Sequence, residues 1–210
     1  HIRIVLLFMI LTGALVGQPL TASRSVLDAS NAESSARPAP RDPLGLGTVS
    51  VGELRQPPEG RGLQLLRKAE ENIARGETSR ALEQLRAAAK ETSAEPYALG
   101  MRGVLHLRQG NIDAALVELQ AAVLLLPGVA ANHSNLAYAL GLRRHSEEAL
   151  PHAKKALQLN PGSAKTRYVL AQILLQMGQR EDAEFHLKRA AEQLPGARKL
   201  LTQYFNHAEQ

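Results

Sequence analysis

Cysteine is absent from all 210 residues, which excludes disulfide frameworks, thiolate zinc sites, nucleophilic thiols and lipidation through an N-terminal cysteine. Tryptophan is also absent and aromatic residues make up only 3% of the chain, against 44% hydrophobic residues, so the core has to be aliphatic. Charge of one sign is scarce as well. The net charge is +5, and the basic residues alternate with acids (Arg67, Lys68, Glu70, Glu71; Glu181, Asp182, Lys188, Arg189) without forming a run. No basic stripe interleaved with aromatics is present, so nucleic acid is not the expected partner.

Patterns that carry chemistry are missing too. Gly45 and Gly47 lack the following helix and Lys-Ser/Thr pair of a phosphate loop, and Gly13 and Gly17 fall in the first, apolar segment. Ser163 and Lys165 are close in sequence, but a helix start accounts for Ser163, and neither a GxSxG nor an SxxK pattern occurs. Seven histidines are present, none of them in an HExxH motif. His106 and His133 occupy positions that call for large packing side chains. His145 and His152 stand two helical turns apart, too far for one ion unless Pro151 bends the helix between them. The residues therefore point to no catalytic, cofactor or metal site, and to surface positions for the remaining histidines.

No apolar run is long enough to span a bilayer as a helix, which takes about 20 residues. The longest opens the chain: Arg3 precedes Ile4 to Leu11, continued by Gly13, Ala14, Leu15 and Val16 and stopped by Gln18 and Pro19. With Thr21, Ala22 and Ser23 as a small-residue processing region, residues 1–23 read as a secretory signal, and otherwise as an uncleaved membrane anchor. His1 in place of methionine leads us to expect further residues ahead of it. Residues 24–61 turn to serine, alanine and proline with five acids and five bases, the composition of a flexible tether. Within it, alternation at Thr48, Val49, Ser50 and Val51 suits a short strand or an extended arm as well as a linker.

Beyond the tether a period dominates. Pro127, Pro161 and Pro195 stand 34 residues apart, each followed by glycine (Gly128, Gly162, Gly196). The same step runs through Ala81, Ala115, Ala149 and Ala183, and through Ala88, Ala122, Ala156 and Ala190. It also runs through Ala69, Gly103, Ala137 and Ala171, and through Gly76, Gly110 and Gly178, where Arg144 stands for the missing glycine. These columns resemble the tetratricopeptide repeat, whose paired antiparallel helices need small residues at their crossing and a breaker between hairpins. Leu65, Leu99, His133 and Arg167 depart from the family's bulky aromatic, and Ser93 from its proline.

The resemblance implies an all-α, right-handed solenoid of four hairpins over residues 62–210, in repeats of about 62–95, 96–129, 130–163 and 164–197. Predicted helices cover roughly 62–75 and 79–91, 96–109 and 112–125, 130–143 and 146–159, 164–177 and 180–193. Ser79, Asn111, Ser146 and Ser163 are candidate N-caps. Pro151 predicts a bend or a loosened first turn in its helix. Leu200, Leu201, Tyr204 and Phe205 make an apolar face on a final helix, residues 198–207, that caps the stack.

In such arrays the first helix of each hairpin lines a concave surface. Mapping the inward column selects Tyr97, Arg108, Ser134, Asn135, Tyr138, Lys165, Tyr168 and Gln172, with three of the four tyrosines. Tyrosine and arginine suit recognition, while the competing role for these tyrosines is to fill gaps between neighbouring helices. One subclass of the family grips a carboxylate terminus with lysines, asparagines and an arginine. Only Asn135 and Lys165 match that pattern, and Gly100, Val104 and Val169 break it. The resulting expectation is an exported, non-enzymatic scaffold that binds a peptide or helix of a partner protein in its groove. The alternatives are a membrane-tethered assembly or secretion factor of the cell envelope, touching membrane only through its first segment, and an accessory repeat domain of an enzyme complex.

Overall fold

Residues 58–205 are those described by the computed structural model; the leader, most of the tether with its alternating Thr48–Val51 segment, and residues 206–210 lie outside the described residues. Among the described residues there are nine helices: α1 (Gly60–Ala74), α2 (Thr78–Ala88), α3 (Glu95–Arg108), α4 (Ile112–Leu125), α5 (Ala130–Leu142), α6 (Ser146–Leu159), α7 (Ala164–Gln176), α8 (Arg180–Ala191) and α9 (Pro195–Phe205). The predicted ends shift by three residues at two places: α2 stops at Ala88 rather than at residue 91, and α9 starts at Pro195 rather than at residue 198. Pro195 does not close α8 at a distance as Pro127 and Pro161 follow α4 and α6. It opens α9, where a missing amide and a fixed φ suit the first helical position.

Successive helices pair as antiparallel hairpins, α1 with α2, α3 with α4, α5 with α6 and α7 with α8, and α9 packs on α8. The small-residue columns explain how they approach. Ala69, Ala137 and Ala171, with Ala81, Ala115, Ala149 and Ala183, are fully buried, and a Cβ added at Gly103 would lie 2.5 Å from Leu119 Cγ. Leu85, Leu119 and Leu187 then fill the space that the small residues leave, with Ala153 taking that position in the third hairpin. α9 continues the stack through Ala197, Leu200, Leu201 and Phe205, which pack against the same core as α8.

Each turn inside a hairpin is built the same way. Gly76, Gly110 and Gly178 adopt φ of 77°, 78° and 77°, and Arg144 adopts 62° in their place. A left-handed residue after a helix lets the next amide reach back to an orphan carbonyl: Glu77 N–H donates to Asn72, Asn111 to His106, His145 to Leu140 and Gln179 to Leu174, at 2.8 to 3.0 Å. The first amide of the following helix is met by the turn itself, as Thr78 N–H donates to Gly76 O, Ile112 to Gly110 and Arg180 to Gly178. This corrects the expected caps. Ser79 lies inside α2, Asn111 precedes α4 without a side-chain bond, and Ser146 sits inside α6 with its hydroxyl turned to Gln176 Oε1 at 2.7 Å. Only Ser163, at a start with no such turn, accepts from Thr166 N–H, at 3.1 Å. α6 runs unbroken through Pro151.

Candidate functional site: the inner face of the first helices

The first helices of the hairpins touch one another directly, α3 with α5 and α5 with α7, whereas their second helices show no comparable contact. An array in which one row packs more closely than the other curves toward the closer row. The faces of α3, α5 and α7 therefore line the inner surface, and α2, α4, α6 and α8 lie outside.

Burial sorts the eight candidate residues. Tyr97 and Tyr168 keep 5% and 9% of their surface, and Ser134 and Asn135 are equally enclosed. Arg108, Tyr138 and Gln172 are half-buried, and Lys165 is exposed. Burial raises the phenol pKa of both Tyr97 and Tyr168, so each stays neutral. Tyr168 Oη accepts from Gln172 Nε2 at 3.4 Å, and Thr166 Oγ1 lies 3.3 Å from Ser134 Oγ, tying α7 to α5. Tyr97 and Tyr168 thus fill space between helices, the role that competed with recognition.

Tyr138 and Gln172 do come together. With Ala137, Gly141, Leu142, Val169, Ile173 and Gln176 they line a small open pocket between α5 and α7. Leu142 stands 44% exposed at its edge. Gln176 is held from both ends, its Nε2 donating to Gly141 O at 3.1 Å and its Oε1 accepting from Ser146. No charged side chain lines this pocket, so it suits an uncharged apolar group flanked by amide-bonding polar atoms. Leu142 and Gln176 were missed in the sequence although they stand 34 and 68 residues after Arg108, in its own column.

The histidines pair differently from the sequence expectation. His133 is buried on α5, and its Nε2 lies 3.0 Å from Pro127 O while its Nδ1 lies 3.1 Å from His152 Nδ1 on α6. His152 is therefore not a plain surface histidine. Desolvation by burial lowers the pKa of both, aided at His133 by Lys155 and opposed there by the Pro127 carbonyl. Among the described residues no group of three or more His, Asp or Glu side chains is placed to hold a metal ion, and no helix is long and apolar enough to cross a membrane.

Comparison with known proteins agrees with this architecture. Residues 145–204 match the family model described as tetratricopeptide repeat. TTC0263, a thermophilic tetratricopeptide repeat protein of Thermus thermophilus, superposes with a TM-score of 0.58 at 25% identity, covering 70% of this chain and 83% of that one. MamA, residues 41 to the end, from Desulfovibrio magneticus RS-1 superposes with a TM-score of 0.59 at 18% identity, covering 69% and 84%. A Thermobaculum terrenum O-GlcNAc transferase mutant superposes with a TM-score of 0.57 at 24% identity over 63% of this chain and only 26% of its own. No curated protein matches by sequence. The described domain is an α-solenoid with the fold of tetratricopeptide repeat proteins, and its residues 145–204 match that family's model.

Proposed function

We propose that this chain is an exported scaffold, without catalytic activity of its own, that holds an extended peptide or a helix of a partner protein on its inner face. The observation that carries the reading is the uncharged pocket of Tyr138, Leu142, Gln172 and Gln176 between α5 and α7. An apolar side chain of the partner enters beside Leu142, and the Gln172 amide, tied within the protein only by a long 3.4 Å bond to Tyr168 Oη, meets the partner's backbone. Partners of this kind rely on a few anchors for most of their binding energy, so one pocket suffices to fix register. Export rests on Arg3 and the apolar Ile4–Val16 segment.

The experiment is selection of binding peptides from a random library against the full chain, followed by titration against variants. Leu142→Glu places a charge at the pocket edge and should weaken the selected peptides about tenfold or more, while Lys154→Glu on the outer side should leave them unchanged. Equal binding to the wild type and Leu142→Glu would move the site elsewhere. Mass determination of the mature N-terminus tests export, since cleavage near Ala22 removes about twenty residues.

A further inference from the structure

Three glycines inside α1 and α3 are held to that identity by their neighbours. A Cβ added at Gly62 would lie 2.7 Å from Ala94 Cβ, one at Gly103 would lie 2.5 Å from Leu119 Cγ, and one at Gly100 would run into Asn132 Oδ1. Gly141, in the last turn of α5, has no such neighbour: its added Cβ would meet only Ile173 Cγ1, at an ordinary 3.6 Å. The backbone does not ask for glycine there either, because Gly141 is not among the residues with positive φ. Elsewhere the repeat fills this column. Ile73, Leu107 and Leu175 stand at the same step of the period, Leu107 only 8% exposed and the other two partly buried against the core. Three hairpins thus carry a large aliphatic side chain where the third carries none, and the space it leaves opens into the pocket between α5 and α7. Glycine inside a helix is less stable than leucine, so the fold itself gives no reason for Gly141.

We propose that the partner supplies the missing side chain: the pocket seats one leucine or isoleucine of the bound segment, and Gly141 is the residue that selects it. This assignment rests on the binding role proposed for the pocket and adds the chemistry of the anchor. The lining matches that occupant. Ala137, Val169 and Ile173 are buried apolar walls, and no charged side chain lines the pocket, so a lysine or glutamate of the partner would lose its water without gaining a counter-charge. Gln176 is held by Gly141 O and by Ser146 Oγ, and so is not left to bond a polar guest. A space left by one omitted aliphatic side chain is filled by a branched aliphatic group of that size. An indole ring overfills it, and alanine leaves it partly empty.

Peptides selected from a random library on the full chain, then titrated by fluorescence anisotropy, test the proposal. The binders should share one leucine or isoleucine, and changing it to alanine or tryptophan should weaken binding about tenfold or more. Gly141→Leu fills the pocket from within. It should keep or raise the melting temperature and weaken the same peptides about tenfold or more. On that variant the change of the peptide's anchor to alanine should cost nothing further, a coupling that general damage to the surface would not produce. Gly141→Ala, whose added atom meets no close neighbour, should fold and weaken binding to a smaller extent. Leu142→Glu separates the anchor from the pocket. Peptides weakened by Leu142→Glu yet indifferent to Gly141→Leu would keep the pocket and overturn its aliphatic anchor, whereas peptides indifferent to both would overturn the pocket and the anchor together. Selected peptides with no common branched aliphatic residue would overturn the anchor as well, and so would unfolding of Gly141→Ala, since the space at Gly141 would then be closed.

Discussion

His133 and His152 meet ring nitrogen to ring nitrogen across α5 and α6, Nδ1 to Nδ1 at 3.1 Å. A carbonyl can only accept, so the Nε2 of His133 carries the proton that it donates to Pro127 O at 3.0 Å. His133 Nδ1 is then the acceptor, and His152 Nδ1–H donates to it. The pair closes only while both rings are neutral or share one added proton; two added protons would set N–H against N–H.

This pair makes stability depend on pH. Burial holds both folded pKa values below the ~6.5 of a free histidine, so the unfolded chain binds more protons as acid is added. The contribution is fully present above about pH 6.5 and is lost as the pH falls through the depressed folded values. Urea denaturation between pH 7.5 and 5 should show declining stability. The first hairpin holds Leu65 and Gln84 at the equivalent positions, so His133→Leu with His152→Gln should flatten the decline, leaving a remainder from His186, whose pKa burial also lowers. An unchanged slope in the double variant would remove the pair as the cause.

Arg144 is the one non-glycine residue with positive φ among the described residues, at the turn where three hairpins use glycine. An L side chain in that region is strained, and glycine is not. Arg144→Gly should stabilise the protein by about 0.5 to 1 kcal/mol, and Gly110→Ala should cost about 1 kcal/mol or more. Chemical denaturation of both variants decides it, and a destabilised Arg144→Gly would show that the arginine contributes more through its side chain than its backbone costs.

The crossing of α3 and α4 is set by Gly103 against Leu119. A Cβ at Gly103 would stand 2.5 Å from Leu119 Cγ and 2.8 Å from Cδ2, and the leucine is fully buried. Gly103→Ala should cost about 1 to 3 kcal/mol by overpacking. The third hairpin carries alanine at both equivalent positions, Ala137 and Ala153, so adding Leu119→Ala should cost less in the Gly103→Ala background than in the wild type. Strict additivity in the double-mutant cycle would mean that the two side chains do not meet. The same crowding argument gives about 1 to 3 kcal/mol for Ala149→Leu, at a position fully closed to solvent.

The hairpins were legible in the sequence because close helix crossings force small residues into fixed columns, and the period shows whatever the rest of the side chains are. Three of the four expected caps are not made: Ser79 and Ser146 lie inside their helices, and Asn111 precedes α4 without a side-chain bond to its first turn. Burial of Tyr97 and Tyr168 depends on how closely successive first helices approach, which no column reports. The His133–His152 pair was hidden because its members lie on facing helices, whereas His145 and His152, the pair singled out in the sequence, follow one another along the chain.

Tyr168 and Tyr138 allow the core and the proposed binding pocket to be tested separately. Tyr168 belongs to the buried core, while Tyr138 is half-buried and lines the pocket. Tyr168→Ala should lower stability by about 3 kcal/mol or more, as deletion of a buried aromatic ring does. Tyr168→Phe removes only a hydroxyl whose partner, Gln172 Nε2, sits at a long 3.4 Å, and should cost within about 1 kcal/mol. Tyr138→Ala should destabilise less than Tyr168→Ala yet weaken a pocket-binding peptide by about 2 kcal/mol, roughly thirtyfold. Thermal melts and peptide titrations on the three variants give the answer. If Tyr168→Ala melts with the wild type, the ring is not part of the core; if Tyr138→Ala binds selected peptides as the wild type does, the pocket between α5 and α7 is not where they lie.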